Sequence, residues 1–206
     1  MNNYVYIISS LPVMQQASCG EARTPSSPDM DEIVEEIRRE CSRKDNAILD
    51  TLLEGFEAKN LSEEFYRKAA SSACPFIREY FDFDRRLRNR KARYLNEELG
   101  RPLGEGCIRL SEEEEEDDAQ MAARTDEILR TEDIVGKEKA LDALVWETVD
   151  EMITFHYFDL DVILAFVVKM SIVTRWLRLD PQSGREMLRK LAEEVQGTFK
   201  GIEFNA

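Results

Sequence analysis

The sequence predicts an all-α protein, a helical bundle packed around one buried central helix. Val162 to Val168 is seven apolar residues in a row, set between charged ends, with Asp159 and Asp161 before it and Arg175 and Arg178 after it. That polarity suits the two ends of a helix dipole. Seven residues are too few to span a bilayer, which needs about 20. Elsewhere apolar residues recur at helical spacing, and almost no segment alternates as a strand would. No internal repeat is evident. The expectation is a single helical domain over residues 1–206, with the acidic stretch within 101–120 as its candidate flexible segment.

Each element follows from local pattern. Tyr4 to Ser10 is apolar and reads as a buried N-terminal segment, with strand or helix left open. Ser27-Pro28-Asp29 then offers a cap, a first-turn proline and an acid near the positive helix end, and Ile33, Val34 and Ile37 fall on one face behind it. Asp45 begins a second periodic segment carrying Ile48, Leu49, Leu52, Leu53 and Phe56, until Asn60 and Ser62 break and restart the pattern. The next helix runs from Glu63 to Ala73. Pro75 marks a boundary, because the residue before a proline avoids helical geometry. From Phe76 a long pattern continues to Leu99 and ends at Gly100-Arg101-Pro102.

Ser111 followed by Glu114 fits a capping box, so the acidic run Glu112 to Asp118 reads either as the opening turns of a helix or as a solvated linker. Leu141, Leu144, Val145, Val149, Met152 and Ile153 form a stripe that leads into the central helix. Leu179-Asp180-Pro181 predicts a tight corner after it, and Met187, Leu188, Leu191 and Val195 form a last stripe that ends at Gly197.

The chain of 206 residues is long enough for one or two domains and for a hydrophobic core that needs neither disulfides nor a metal. A formal charge of −14 and a pI near 4.7 argue against a duplex nucleic-acid binder and against a protein held on an anionic membrane surface. Cys19, Cys41, Cys74 and Cys107 lie far apart, without a C-x-x-C pair, so reduced thiols are expected and a zinc site is not. Ala17-Ser18-Cys19-Gly20 faintly resembles a lipoprotein cleavage site. No Lys or Arg precedes the apolar stretch, however, and Pro12 and Gln15-Gln16 interrupt it, so the expectation is a cytoplasmic protein.

Little in the pattern points to catalysis. The single histidine, His156, lies between aromatic residues in Phe155-His156-Tyr157-Phe158 and reads as a packing residue. Asp159 and Asp161 stand near it, but a di-metal helical site needs repeated Glu-x-x-His pairs, and none occurs. Neither phosphate-loop glycine motif is present, and Gly100, Gly104 and Gly106 only flank a turn. No cofactor is expected. The one basic concentration runs from Asp84 to Arg93, as DRRLRNRKAR. On a helix its cations point almost all the way round the axis, leaving Leu87 and Tyr94 as a thin apolar line. Such a helix needs acidic company, either the Glu112 to Asp118 run or the carboxylates of a partner.

Several pieces taken in order resemble a known family. They are Tyr4-Val5-Tyr6-Ile7-Ile8-Ser9-Ser10-Leu11-Pro12; Asp45 with Ile48-Leu49; Arg88-Asn89 followed by Ala92-Arg93; and Glu151, Phe158, Lys169, Arg175-Trp176 and Gly184. Together they resemble a bacterial family catalogued as a domain of unknown function, which is similar to the C subunit of V-type (archaeal-type) ATP synthases. The resemblance implies a fold related to that of the C subunit and a noncatalytic rotor component. It would couple the central shaft to the membrane ring, peripheral to the inner membrane through the complex, with no nucleic acid and no direct lipid insertion.

No catalytic residue is carried over. Docking is expected at Arg85, Arg86, Arg88, Asn89 and Arg93, with Arg175 and Trp176 as fold-holding or interface residues, Trp and Arg being types enriched at binding hot spots. The alternative is a freestanding α-helical adaptor or regulator that binds an acidic protein through the Arg-rich helix.

Overall fold

The computed structural model describes residues 4–12, 30–110 and 119–178. These form eight α-helices: α1 (Tyr4–Ser10), α2 (Met30–Glu40), α3 (Arg43–Glu54), α4 (Glu63–Ala70), α5 (Pro75–Glu98), α6 (Ala119–Leu129), α7 (Ile134–Met152) and α8 (Leu160–Arg178). A short 3-10 turn lies between α3 and α4, and no strand occurs among the described residues.

The apolar run becomes α8, and it is buried nearly all round. Ile163, Leu164, Ala165, Val167, Val168, Met170, Ile172, Val173 and Trp176 are all shielded from solvent. Helices α1, α2, α3 and α7 pack against it. Each supplies its apolar stripe: Ile7 from α1, Val34 and Ile37 from α2, Leu49 and Leu52 from α3, and Val149 from α7. A fully buried Val, Leu or Ile contributes about 1.5–3 kcal/mol, so the nine buried residues of α8 make it a major source of burial in the fold.

The same core extends to α4 and α5 through aromatic packing. Phe65 and Phe81 meet edge to face with ring centroids 4.9 Å apart, and Tyr80 meets Phe81 in the same manner at 5.1 Å. A smaller cluster of Phe83, Leu87, Leu129, Leu141 and Leu144 joins α5, α6 and α7, with Val145 and Met152 touching both clusters.

Helix ends follow local chemistry. Tyr4–Ser10, left open by the sequence, is helical. Ser42 caps α3: its hydroxyl accepts from the Asp45 amide while the Asp45 carboxylate accepts from the Ser42 amide, so Asp45 is the third helical residue of a capping box rather than a start. Ser62 caps α4 by accepting from the Phe65 amide at 3.2 Å. That helix ends at Ala70, short of the expected Ala73. Pro75 fills the first position of α5, and Gly100 follows that helix at φ +63, a left-handed conformation that glycine adopts without a Cβ penalty.

The stripe of α7 does not run on into α8. A turn over 153–159 separates them, and Asp159 restarts the helix by accepting from the Val162 amide at 3.3 Å. The predicted helix start at 27–29, the capping box at Ser111 and Glu114, the acidic run Glu112 to Asp118, the corner at 179–181 and the stripe from Met187 lie outside the described residues.

Gly55 ends α3 in ordinary right-handed geometry at φ −74, where alanine would normally stabilise by reducing unfolded-state entropy. A Cβ there, however, would stand 2.3 Å from the Phe81 ring and 2.8 Å from Phe65. Gly55→Ala is therefore expected to lower unfolding stability by about 1–3 kcal/mol. Urea unfolding checks this, and an unchanged or raised midpoint would contradict the close approach.

Candidate functional site

The segment after α5 folds back along that helix, and three side chains of α5 hold it. Asn96 is buried and donates through Nδ2 to the carbonyls of Glu105, at 2.8 Å, and Leu103, at 3.4 Å. Two turns earlier Asn89 clasps Ile108 from both sides, donating to its carbonyl and accepting from its amide, each at 2.8 Å. Arg85 adds a 3.4 Å bond to the same carbonyl. Asn89 and Asn96 are seven residues apart, so they share one helix face. Asn96 is itself buried, and a buried polar group left unpaired costs about 1–3 kcal/mol, so the returning segment satisfies a side chain of the helix while being held by it.

The arginines of α5 find their acids mostly on the same helix. Arg85 is only 4% exposed and donates to Asp82 at 2.7 Å; Arg86 donates to the other oxygen of Asp82, also at 2.7 Å. Arg88 donates to Asp84 at 2.8 Å, and the Tyr66 hydroxyl of α4 donates to the same oxygen at 2.6 Å. Burial, then the neighbouring Asp84 charge, push the Tyr66 phenol well above its ordinary range, so it remains a proton donor. Burial pulls Arg88 down, but Asp84 outweighs it and holds the guanidinium above its usual value.

Arg90 reaches across to α6 and makes a two-pronged pair with Asp126, whose carboxyl is held below its usual value mainly by that bond. Arg93 lines a cleft of about 470 Å³ shared with Arg109, Arg130, Tyr94 and Glu97. The expected pairing of Arg85 to Arg93 with Glu112 to Asp118 concerns acids outside the described residues.

Arg175 and Trp176 sit together near the end of α8. The Trp176 ring is buried, and its indole N–H donates to Asp142 of α7 at 2.6 Å. Arg175 donates to the same carboxylate oxygen and reaches Glu138 at 3.5 Å. Two turns back along α8, Lys169 pairs with Asp150 of α7 and lies 5.1 Å from the centroid of the Trp146 ring. These contacts fasten two antiparallel helices at two points along their length.

His156 does not pack in the core. It lies on the exposed turn between α7 and α8, and the rings beside it, Phe155, Tyr157 and Phe158, are exposed at 88%, 70% and 58%. Its Nδ1 stands 2.5 Å from Asp159 Oδ2, whose other oxygen caps α8. The bond to Asp159 raises the imidazole above its ordinary 6.5. Asp161 lies 3.8 Å from the same nitrogen and accepts a long contact, 3.6 Å, from the Cys74 thiol. Among the described residues no group of three or more His, Cys, Asp or Glu is arranged to hold a metal, and Cys41, Cys74 and Cys107 are free thiols. No described helix is long and apolar enough to cross a membrane.

Sequence reasoning placed Arg85, Arg86, Arg88 and Asn89 on one helix; there Asp82 joins Arg85 and Arg86, Arg88 pairs with Asp84, and of the four Arg85 and Asn89 hold the returning segment. It did not bring Arg175 and Trp176 to that place. It missed the exposed aromatic turn, because apolar residues beside an apolar helix read as core. The available signal was Asp159 three residues before Val162, a cap pattern that starts a new helix.

The sequence model of a family described as a protein of unknown function (DUF2764) matches residues 58–198, from the 3-10 turn before α4 onward. No curated protein and no solved structure matches the chain.

The His156 pair has a pH signature. Because the folded value is raised, its contribution to stability is fully present below 6.5 and is lost as pH rises through the folded value. The single histidine gives one imidazole resonance in proton NMR. Its midpoint is expected above 6.5 in the native chain and closer to 6.5 in Asp159→Asn, which keeps a capping side chain and loses the charge. Equal midpoints in the two proteins would contradict the pairing.

Proposed function

We propose, for a chain that belongs to the DUF2764 family of proteins of unknown function, a role as a noncatalytic rotor component of a V-type ATP synthase, similar to its C subunit. In this reading it joins the central shaft to the membrane ring and serves ion transport by transmitting torque. The observation that carries the reading is the ordered set of sequence pieces resembling relatives of the C subunit. Most of those pieces fall on α1, α3, α5 and α8, which contribute to one hydrophobic cluster, while Glu151 lies in the last turn of α7, Phe158 lies in the turn after it, and Gly184 lies outside the described residues.

A torque-bearing part needs stiffness, and the bracing of this molecule is consistent with that need. Arg90 and Asp126 tie α5 to α6, Tyr66 and Asp84 tie α4 to α5, and Asp142 gathers Arg175 and Trp176 between α7 and α8. The docking set keeps Arg86, Arg88, Asn89 and Arg93 at or near the surface of α5, while the buried Arg85 acts as a support for them. Arg175 stays partly exposed beside the buried Trp176. The reading places the protein in the cytoplasm, peripheral to the inner membrane through its complex. A freestanding adaptor for an acidic partner is the alternative; because Arg85, Arg86, Arg88 and Arg90 already pair with carboxylates of the chain, docking through α5 in either reading must rest on more than free positive charge.

Affinity purification of the tagged chain from its native cell is expected to recover the shaft and ring proteins of a rotary ATPase. Arg88→Glu, which sets a carboxylate against Asp84 on the proposed docking face, should weaken shaft binding by about tenfold or more. Recovery of the chain free of every rotary component would contradict the proposal.

A further inference from the structure

The turn at 153–159 presents three aromatic rings to solvent, and it is built to keep them there. The Thr154 amide donates to the Glu151 carbonyl at 3.2 Å and its hydroxyl to the Asp150 carbonyl at 3.1 Å. The His156 amide donates to the Ile153 carbonyl at 2.9 Å, its ring joins Asp159, and Asp159 caps α8. A preorganised apolar projection loses little freedom on binding. Aromatic residues in such positions are the usual anchors of protein interfaces, while contiguous exposed apolar patches are uncommon on monomeric surfaces.

Next to the turn, α5, α6 and α7 bound a groove of about 430 Å³ that contains Phe83 and Leu144; its charged lining is Glu79, Asp82, Glu147 and Glu151 against Arg86 and Arg124, an acidic excess. Groove and turn adjoin through Glu151, which lines the groove from the last turn of α7 and whose carbonyl accepts from the Thr154 amide of the turn. Asp150 is engaged by Lys169 and Glu147 by Arg124, whereas Glu79 and Glu151 have no cation at ion-pair distance among the described residues. An apolar anchor framed by uncompensated carboxylates repels an anionic lipid surface, which is recognised by Lys and Arg. It equally repels a second copy of itself, because a two-fold contact would set the same acids against each other.

We infer that the α7–α8 turn and this groove form a docking surface for a basic amphipathic helix of a protein partner. The apolar stripe of that helix meets Phe155, Tyr157 and Phe158, and its Lys or Arg residues meet Glu79 and Glu151. The inference is independent of the rotary reading, since it rests on this surface alone.

The test titrates the isotope-labelled full chain with three probes: an amphipathic Leu/Lys peptide of about five helical turns, a Leu/Glu peptide of the same pattern, and phosphatidylglycerol vesicles. The Leu/Lys peptide is expected to bind alone, shifting amide resonances at 79, 147, 151 and 154–158. Phe155→Ser with Phe158→Ser should raise its Kd by about tenfold or more. Glu79→Gln with Glu151→Gln should raise the Kd and flatten its salt dependence. All four substitutions are at solvent-facing positions, so an unchanged spectrum elsewhere certifies the fold. The inference is overturned by shifts centred on another face, by equal affinity for the Leu/Glu peptide or for vesicles, by self-association through the rings, by a Kd indifferent to the Phe substitutions, or by no binding of the Leu/Lys peptide.

Discussion

Helix α8 is shielded over nearly its whole circumference from Ile163 to Val173, with Phe166, Lys169 and Ser171 partly exposed, and the rest of the molecule is arranged around that burial. Because a sheet would leave part of such a rod uncovered, other helices must enclose it, each giving one apolar stripe. Even α1, with seven residues, is folded because Ile7 has a place against α8; isolated helices of that length are marginal in water. The polar needs of α8 are met only at its ends and along one line toward α7, through Asp159, Lys169, Arg175 and Trp176.

A second layer grows from α5. One side of this helix carries Phe76, Ile77 and Phe81 into the main core, and Phe83 and Leu87 reach the smaller cluster with α6 and α7. What remains on α5 is polar and serves the chain itself: Asn89 and Asn96 hold the returning segment, and the arginines are matched by Asp82, Asp84 and Asp126. The helix that looks most basic in the sequence is thus mostly neutralised where it stands. Carboxylates without a cation at ion-pair distance among the described residues stand near the α7–α8 turn, at Glu79 and Glu151, close to the exposed rings.

How much of this was legible in the sequence depended on the range of the interaction. Helices α5 and α8 were legible because a long periodic pattern and a dense apolar run state their own limits, with Pro75, Gly100 and the acids at 159 and 161 as punctuation. The open choice over Tyr4 to Ser10 reflects a segment too short to show a period. Arg90 with Asp126, Asn89 with Ile108 and Trp176 with Asp142 join residues 19 to 36 apart. Nothing local in the sequence encodes those distances. His156 was misread for a different reason: apolar neighbours are ambiguous between a core and an anchor, and only exposure separates the two.

A stiff body organised by one enclosed helix is the physical premise of the rotor reading. Native-state hydrogen exchange followed residue by residue tests it most directly. The amides of Ile163 to Val173 should exchange only through global unfolding, at the same free energy as the buried stretches of α3 and α5. Exchange of α8 at a clearly lower free energy than α5 would contradict the account, because the enclosing helices would then hold together without the element they are said to enclose.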